Sequence, residues 1–164
     1  IFLLTPAFSQ DKIATIDVVQ LLRDSKAAIS MKDQLNAVAK KYTDEDQKKQ
    51  KEIQKQEEEL LRQKSTLTPE AFSDRKNTFE KKVIEFNKNS QSKRKALAKA
   101  EKEAVNQIED EVEKIVQKII DTENITAVFR KSALILGNTS IDITKKVVDE
   151  LNKNLSNVKV NVAP

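Results

Sequence analysis

The chain has 164 residues, with 30 Lys+Arg against 26 Asp+Glu, one Gly, three Pro, six Phe, one Tyr, and no Cys, His or Trp. Without Cys or His it can build no zinc finger, disulfide, Ser-His-Asp triad or Cys-His pair, and with Gly137 as its only glycine it can write neither a P-loop nor a dinucleotide fingerprint. Carboxylates and lysines could still make an acid/base site, but nothing gathers them, so no catalytic residue, cofactor or metal is expected.

The balance of 38% apolar and 34% charged residues suits a helix-rich, elongated chain with a small core. At the N-terminus, the apolar run Ile1 to Leu4, then Thr5-Pro6 and Ala7-Phe8-Ser9, resembles the end of a secretory signal. A charged n-region and a full h-region are missing, so the stretch is either a truncated signal or a chance likeness. On the signal reading, residues 1–10 are removed or disordered, the mature chain starts near Gln10 or Asp11, and the protein is exported and soluble.

From Lys12 to about Arg23, Ile13, Ala14 and Ile16 read as a short buried strand, and Asp17 three residues before Gln20 resembles a capping box opening a short helix. Asp24-Ser25 offers a second cap. From 26 to 122 there is no Gly and a single Pro, which predicts a long antiparallel helical hairpin, a coiled-coil arm, turning near 66–69. At the turn Thr68 can cap, Pro69 suits the first helical position and Glu70 complements the helix dipole.

Met31, Leu35, Val38 and Tyr42 make an apolar stripe on the outgoing limb, which thins until Ile53 and resumes at Leu60, Leu61 and Leu67. Phe72, Phe79 and Phe86 recur at seven-residue spacing with Val83 between them, a coiled-coil period. These four side chains can be hairpin seam or partly exposed contacts for an apolar partner. No apolar residue occurs from Asn87 to Lys95; then Leu97, Ala104, Ile108, Val112, Ile115 and Ile119 rebuild a seam. The polar middle of the arm is therefore expected to be flexible.

Farther on, Thr126 to Arg130 and Ala133 to Leu136 read as strands separated by Lys131-Ser132, and Asp142 as the N-cap of a last helix carrying Ile143, Val147, Val148, Leu151 and Leu155 on one face. The alternation of Val158, Val160 and Val162 in the tail, 156–164, suits a short strand or disorder. Because the hairpin returns the chain to its starting point, the strand near Ile13 can pair with those near Val128 and Ile135. The expected class is thus mainly α with a small β base: a helical hairpin (26–122) projecting from a short-stranded association body (11–25 and 123–155). Three short strands and one short helix are too little core to stand alone, so the body is expected to oligomerise through Ile13, Ile16, Val128, Phe129, Leu134, Ile135 and Leu136.

Between Lys40 and Glu103 there are 18 Lys+Arg against 13 Asp+Glu, so the positive excess lies on the arm, densest at Lys93-Arg94-Lys95 with Lys88 and Lys99 nearby. This cluster is either a contact for anionic lipid headgroups or another anionic partner, or a solvated face of mixed sign. One Tyr and no Trp leave few aromatics for stacking on bases, which disfavours specific nucleic-acid binding.

Lys12-Ile-Ala-Thr-Ile-Asp-Val-Val-Gln-Leu-Leu resembles the opening strand and helix of the Skp/OmpH family of periplasmic chaperones. Ala127-Val-Phe-Arg-Lys-Ser-Ala-Leu-Ile-Leu-Gly resembles its paired base strands, and Asp142-Ile-Thr-Lys-Lys-Val-Val the start of its last helix. The resemblance spans about residues 12 to 153 and is carried by the two ends of that range. It implies a jellyfish-like homotrimer with a barrel-like body and three helical arms enclosing a cavity, which holds unfolded outer-membrane proteins soluble in the periplasm without ATP. The alternative is a coiled-coil spacer or adaptor of the cell envelope that binds no client.

Overall fold

The structure, a computed structural model, describes residues 11–163. The signal-like stretch at 1–10 lies outside them. Six elements follow in order: β1 (Ile13–Ile16), α1 (Val18–Asp24), α2 (Lys26–Gln63), α3 (Pro69–Glu123), β2 (Ala127–Arg130) and α4 (Thr144–Asn154). The chain divides into two units. One, the body, comprises the residues up to Lys32 with Ala104–Lys159; the other, the hairpin unit, comprises Asp33–Glu103 and the chain from Val160.

In the body, β1 pairs in parallel with β2, placing Ile13 opposite Ala127, Ala14 opposite Val128, Thr15 opposite Phe129 and Ile16 opposite Arg130. Its other edge is taken not by Ala133–Leu136 but by Asp142, which bridges Thr15, while Ile143 N donates to Thr15 O at 2.9 Å. The expected strand at 133–136 is therefore corrected: Lys131–Ala133 is a 3-10 turn, and Leu134 to Leu136 belongs to no strand of this chain. The reason is local. The Lys131 ammonium reaches back to Asp142 at 2.7 Å, tying together the two ends of the intervening loop.

The predicted caps form. Asp17 Oδ1 accepts from Gln20 N at 2.9 Å, and buried Ser25 Oγ accepts from Ala28 N at 3.4 Å at the start of α2. Lys26 N, an otherwise orphaned donor of that first turn, finds Asn152 Oδ1 at 2.7 Å. Helix α3 ends at Asn124, whose positive φ of 51° and the following bond from Ile125 N to Ile120 O close it in the left-handed manner common at helix C-termini. The expected cap of α4 is shifted by one position: Ile143 takes the N-cap place, and Asp142, two residues before the helix starts, accepts on Oδ1 from Thr144 N at 2.9 Å.

The body's core is richer than short strands alone would provide. Ala27 and Ala28 of α2 and Ala104, Ile108, Ile115 and Ile119 of α3 are buried together with Ala14, Ile16, Leu21, Ile125, Val147, Val148 and Leu151. The four α3 positions recur at steps of four, seven and four, one face of a helix. At about 1.5–3 kcal/mol for each fully buried large aliphatic side chain, this face and the buried side chains of β1, α1 and α4 that accompany it stabilise the body together.

Asp142 links three parts of the body: the bridge to Thr15, the ion pair with Lys131 and the cap on α4. Asp142→Ala should lower stability by about 1–2 kcal/mol from the lost cap alone, read as a fall of several degrees in the midpoint of thermal unfolding followed by circular dichroism. An unchanged midpoint would mean that water replaces the carboxylate at no cost.

Candidate functional site

In the hairpin unit the limbs run antiparallel. As residue numbers rise on α2, their partners on α3 fall: Asp46 bonds Ser90 and Lys93, Gln56 accepts from Lys82 at 3.1 Å, and Gln63 accepts from Arg75. The turn is built as expected, with Thr68 Oγ1 accepting from Ala71 N at 3.3 Å and Pro69 opening α3. Among the described residues of this unit, Ala100 is the only fully buried apolar side chain. No large apolar group is sealed between these limbs.

Phe72, Phe79, Val83 and Phe86 are all half-buried. Phe79 shares a hollow of about 430 Å³ with Leu60 and Arg75, and Phe86 lines a second of about 420 Å³ with Ile53 and Lys82. The rings thus line the hairpin and remain reachable from outside it. Leu61 departs from its expected seam place, with 63% of its surface exposed, and Ile84, which the periodicity did not single out, exposes 66%. Each follows directly on a seam residue, Leu60 or Val83; adjacent helical positions lie about 100° apart, so both members of such a pair cannot face one partner.

The interval expected to be loose is closed by polar groups. Ser90, itself buried, donates from Oγ to Asp46 Oδ2 at 2.7 Å. Lys93 Nζ lies 2.8 Å from Asp46 Oδ1 and 2.9 Å from Glu45 Oε2, and stands 5.1 Å from the centroid of the Tyr42 ring. Only 15% of the Lys93 side chain is exposed. Hydrogen bonding to Lys93 holds the Asp46 carboxyl below its ordinary value against the opposing effect of burial, and Ser90 and Arg94 act in the same direction. For Lys93, burial works to lower the pKa, but its hydrogen bonds to Asp46 and Glu45 outweigh it and the ammonium is raised.

Of the candidate basic residues, then, Lys93 is committed inside the hairpin. Lys88, Arg94, Lys95 and Lys99 are exposed, and Lys99 lies 3.7 Å from Glu103 one turn on.

In the body, the candidate association residues divide by exposure. Ile16 is buried, Val128 and Leu134 are half-buried, and Ile13 and Phe129 are exposed. Ile135 and Leu136 are 98% and 91% exposed, at the tip of the loop that Lys131 and Asp142 tie shut. Val19 on α1 is a further exposed apolar residue that sequence reasoning placed on the helix without assigning it a role. No described helix is long and apolar enough to cross a membrane, and among the described residues no group of acidic side chains could hold a metal ion.

The profile of the family described as outer membrane protein (OmpH-like) matches residues 12–151. The chain belongs to this OmpH-like family. Its fold is similar to the crystal structure of a protein from Caulobacter crescentus CB15 described as an OmpH-like candidate outer membrane chaperone, with a TM-score of 0.86 and 16% identity over 99% of this chain and 96% of that one. Among curated proteins none matches. The family match ends at residue 151, before the tail, whereas the structural similarity covers nearly the whole of this OmpH-like chain.

The Asp46 network gives the hairpin a defined acid response. Folding depresses the Asp46 pKa, so the network's contribution is complete at neutral pH, begins to fall below about pH 4 and is lost as the pH passes down through the folded value. Lys93→Met should cost about 1–3 kcal/mol at pH 7, and Asp46→Asn should flatten the acid limb of the pH–stability profile, both read from urea unfolding. An acid limb unchanged in Asp46→Asn would place the sensitivity in other carboxylates.

Proposed function

We propose that this OmpH-like protein is an ATP-independent holdase chaperone of the periplasm that binds unfolded outer-membrane proteins between the hairpins of a homotrimer. The observation that carries the reading is the state of the hairpin side chains. Phe72, Phe79, Val83 and Phe86 are half-buried, and Leu61 and Ile84 are exposed, on a unit whose only fully buried apolar residue among those described is Ala100. Such a surface offers many weak apolar contacts without one deep pocket, which suits retention of a client that must keep no fixed conformation. The Caulobacter protein's description as an outer membrane chaperone supports the same role.

Assembly is the companion proposal. Ile135 and Leu136 stand almost fully in solvent on a tied loop, beside a sheet in which Ile13 and Phe129 are also exposed. Burying them against other copies would remove the largest exposed aliphatic side chains of the body from water. The positive excess of the hairpin, borne outward by Lys88, Arg94, Lys95 and Lys99, suits attraction to anionic lipid headgroups or to acidic client segments.

One observation favours the envelope-spacer alternative. The polar interval that would weaken a rod is bridged by Ser90, Asp46 and Lys93.

Native mass spectrometry before and after dilution with a urea-unfolded outer-membrane β-barrel protein, without ATP, separates the two readings. A trimer that gains one client chain is expected; a trimer that ignores the client would leave the spacer. The double change Ile135→Asp and Leu136→Asp should shift the assembly to monomer with the circular dichroism spectrum unchanged, since neither side chain supports the protomer's own core. Phe79→Ala with Phe86→Ala should weaken client retention several-fold, on the order of 1–2 kcal/mol, while the trimer persists; unchanged retention would leave both rings as seam.

A further inference from the structure

The last nine described residues do not form a helix or a ladder, yet their burial alternates with the period of a strand. Asn157, Lys159, Asn161 and Ala163 are exposed, Val160 and Val162 are half-buried, and Val158 is 2% exposed. In the body, Ser30 Oγ of α2 donates to Asn157 Oδ1 at 2.7 Å next to the buried valine. One turn farther along α2, in the hairpin unit, Val160 N donates to Gln34 Oε1 at 3.2 Å.

Two properties of this seating bear on recognition. The Gln34 amide oxygen takes a backbone N–H, a group that every residue but proline offers, so this contact is blind to side-chain identity. Selectivity comes from the alternation, one apolar side chain inward for each polar one outward. The tail sequence Val158-Lys159-Val160-Asn161-Val162 is of the kind found in strands of transmembrane β-barrels, where apolar and polar residues alternate over segments of about ten residues.

We propose that the seat of Val158 in the body is a binding site for period-two segments of unfolded β-barrel chains, and that the protein's own tail occupies it as a resident competitor. This rests on the client-holding reading above. The tail lowers apparent client affinity by the fraction of time it is seated, so its release raises affinity with no new contact. A client strand replaces the tail by seating an aliphatic side chain in the place of Val158, beside the Ser30 hydroxyl that holds Asn157.

The test uses the full-length protein, its Val158→Asp variant and a fluorescent peptide of residues 155–163. Release of the tail should let the variant hold a urea-unfolded barrel protein about fivefold more tightly than the parent. The peptide should bind the variant but not the parent, and excess peptide should displace part of the held client. Because Val158 is buried, Asn157→Ala with Ser30→Ala provides a milder release that leaves the valine intact; the same direction of change, smaller in size, is expected. Client affinity unchanged in both variants, with no peptide captured, would overturn the proposal and make the tail a structural strap, while client holding by the parent would stand. A parent that holds no client would instead overturn the chaperone reading, and this proposal with it, whatever the peptide does.

Discussion

The uneven placement of buried apolar surface governs this molecule. Nearly all fully buried aliphatic side chains lie in the body, where one face of α3 from Ala104 to Ile119 joins residues from β1, α1, the start of α2 and α4. The hairpin unit has no such reserve. It stays paired through half-buried rings and through charged and polar contacts, each of which exchanges water for protein at a small net gain. A surface held in this manner can keep its apolar groups within reach of a partner, which a well-packed coiled coil cannot do.

The polar network around Lys93 fits that constraint. A buried or half-buried ion pair contributes little over a good apolar seam, and its strength is that of position: breaking one member leaves the others uncompensated. Asp46 faces both Ser90 and Lys93, so a slip of either limb would separate all three. Half-buried phenylalanines tolerate small shifts; a carboxylate shared by a hydroxyl and an ammonium does not. Register is thus fixed where the apolar pattern is silent.

Much of the fold was legible in the residues because it depends on local chemistry. The caps at Asp17, Ser25 and Thr68, the strand at Ile13–Ile16, the hairpin turn and the buried face of α4 each follow from side chains within a few positions of one another. The strand expected at 133–136 failed because β propensity says nothing about a partner, and the edge of β1 was already taken by Asp142. The polar contacts in the middle of the hairpin were not legible for a related reason: Asp46 and Lys93 are 47 positions apart, and neither announces that it will be turned inward. Periodicity also counted Leu61 as seam although Leu60 already held that place. The candidate contact residues were legible as a set, and their division into buried, half-buried and exposed required the fold.

The parallel pairing of β1 with β2 fixes an order of events. Ile13 finds Ala127 and Thr15 finds Asp142, so the first strand has no final neighbour until more than a hundred residues have followed it. Such a closure brings no reward until the intervening chain has shortened its own path, and helices do this quickly and locally. The hairpin is therefore the device that delivers β2 to β1. A chain made from its N-terminus carries this apolar strand unpaired until β2 has been made, so this protein passes through a stage in which its own β1 exposes the kind of unpaired apolar strand it is proposed to hold in others.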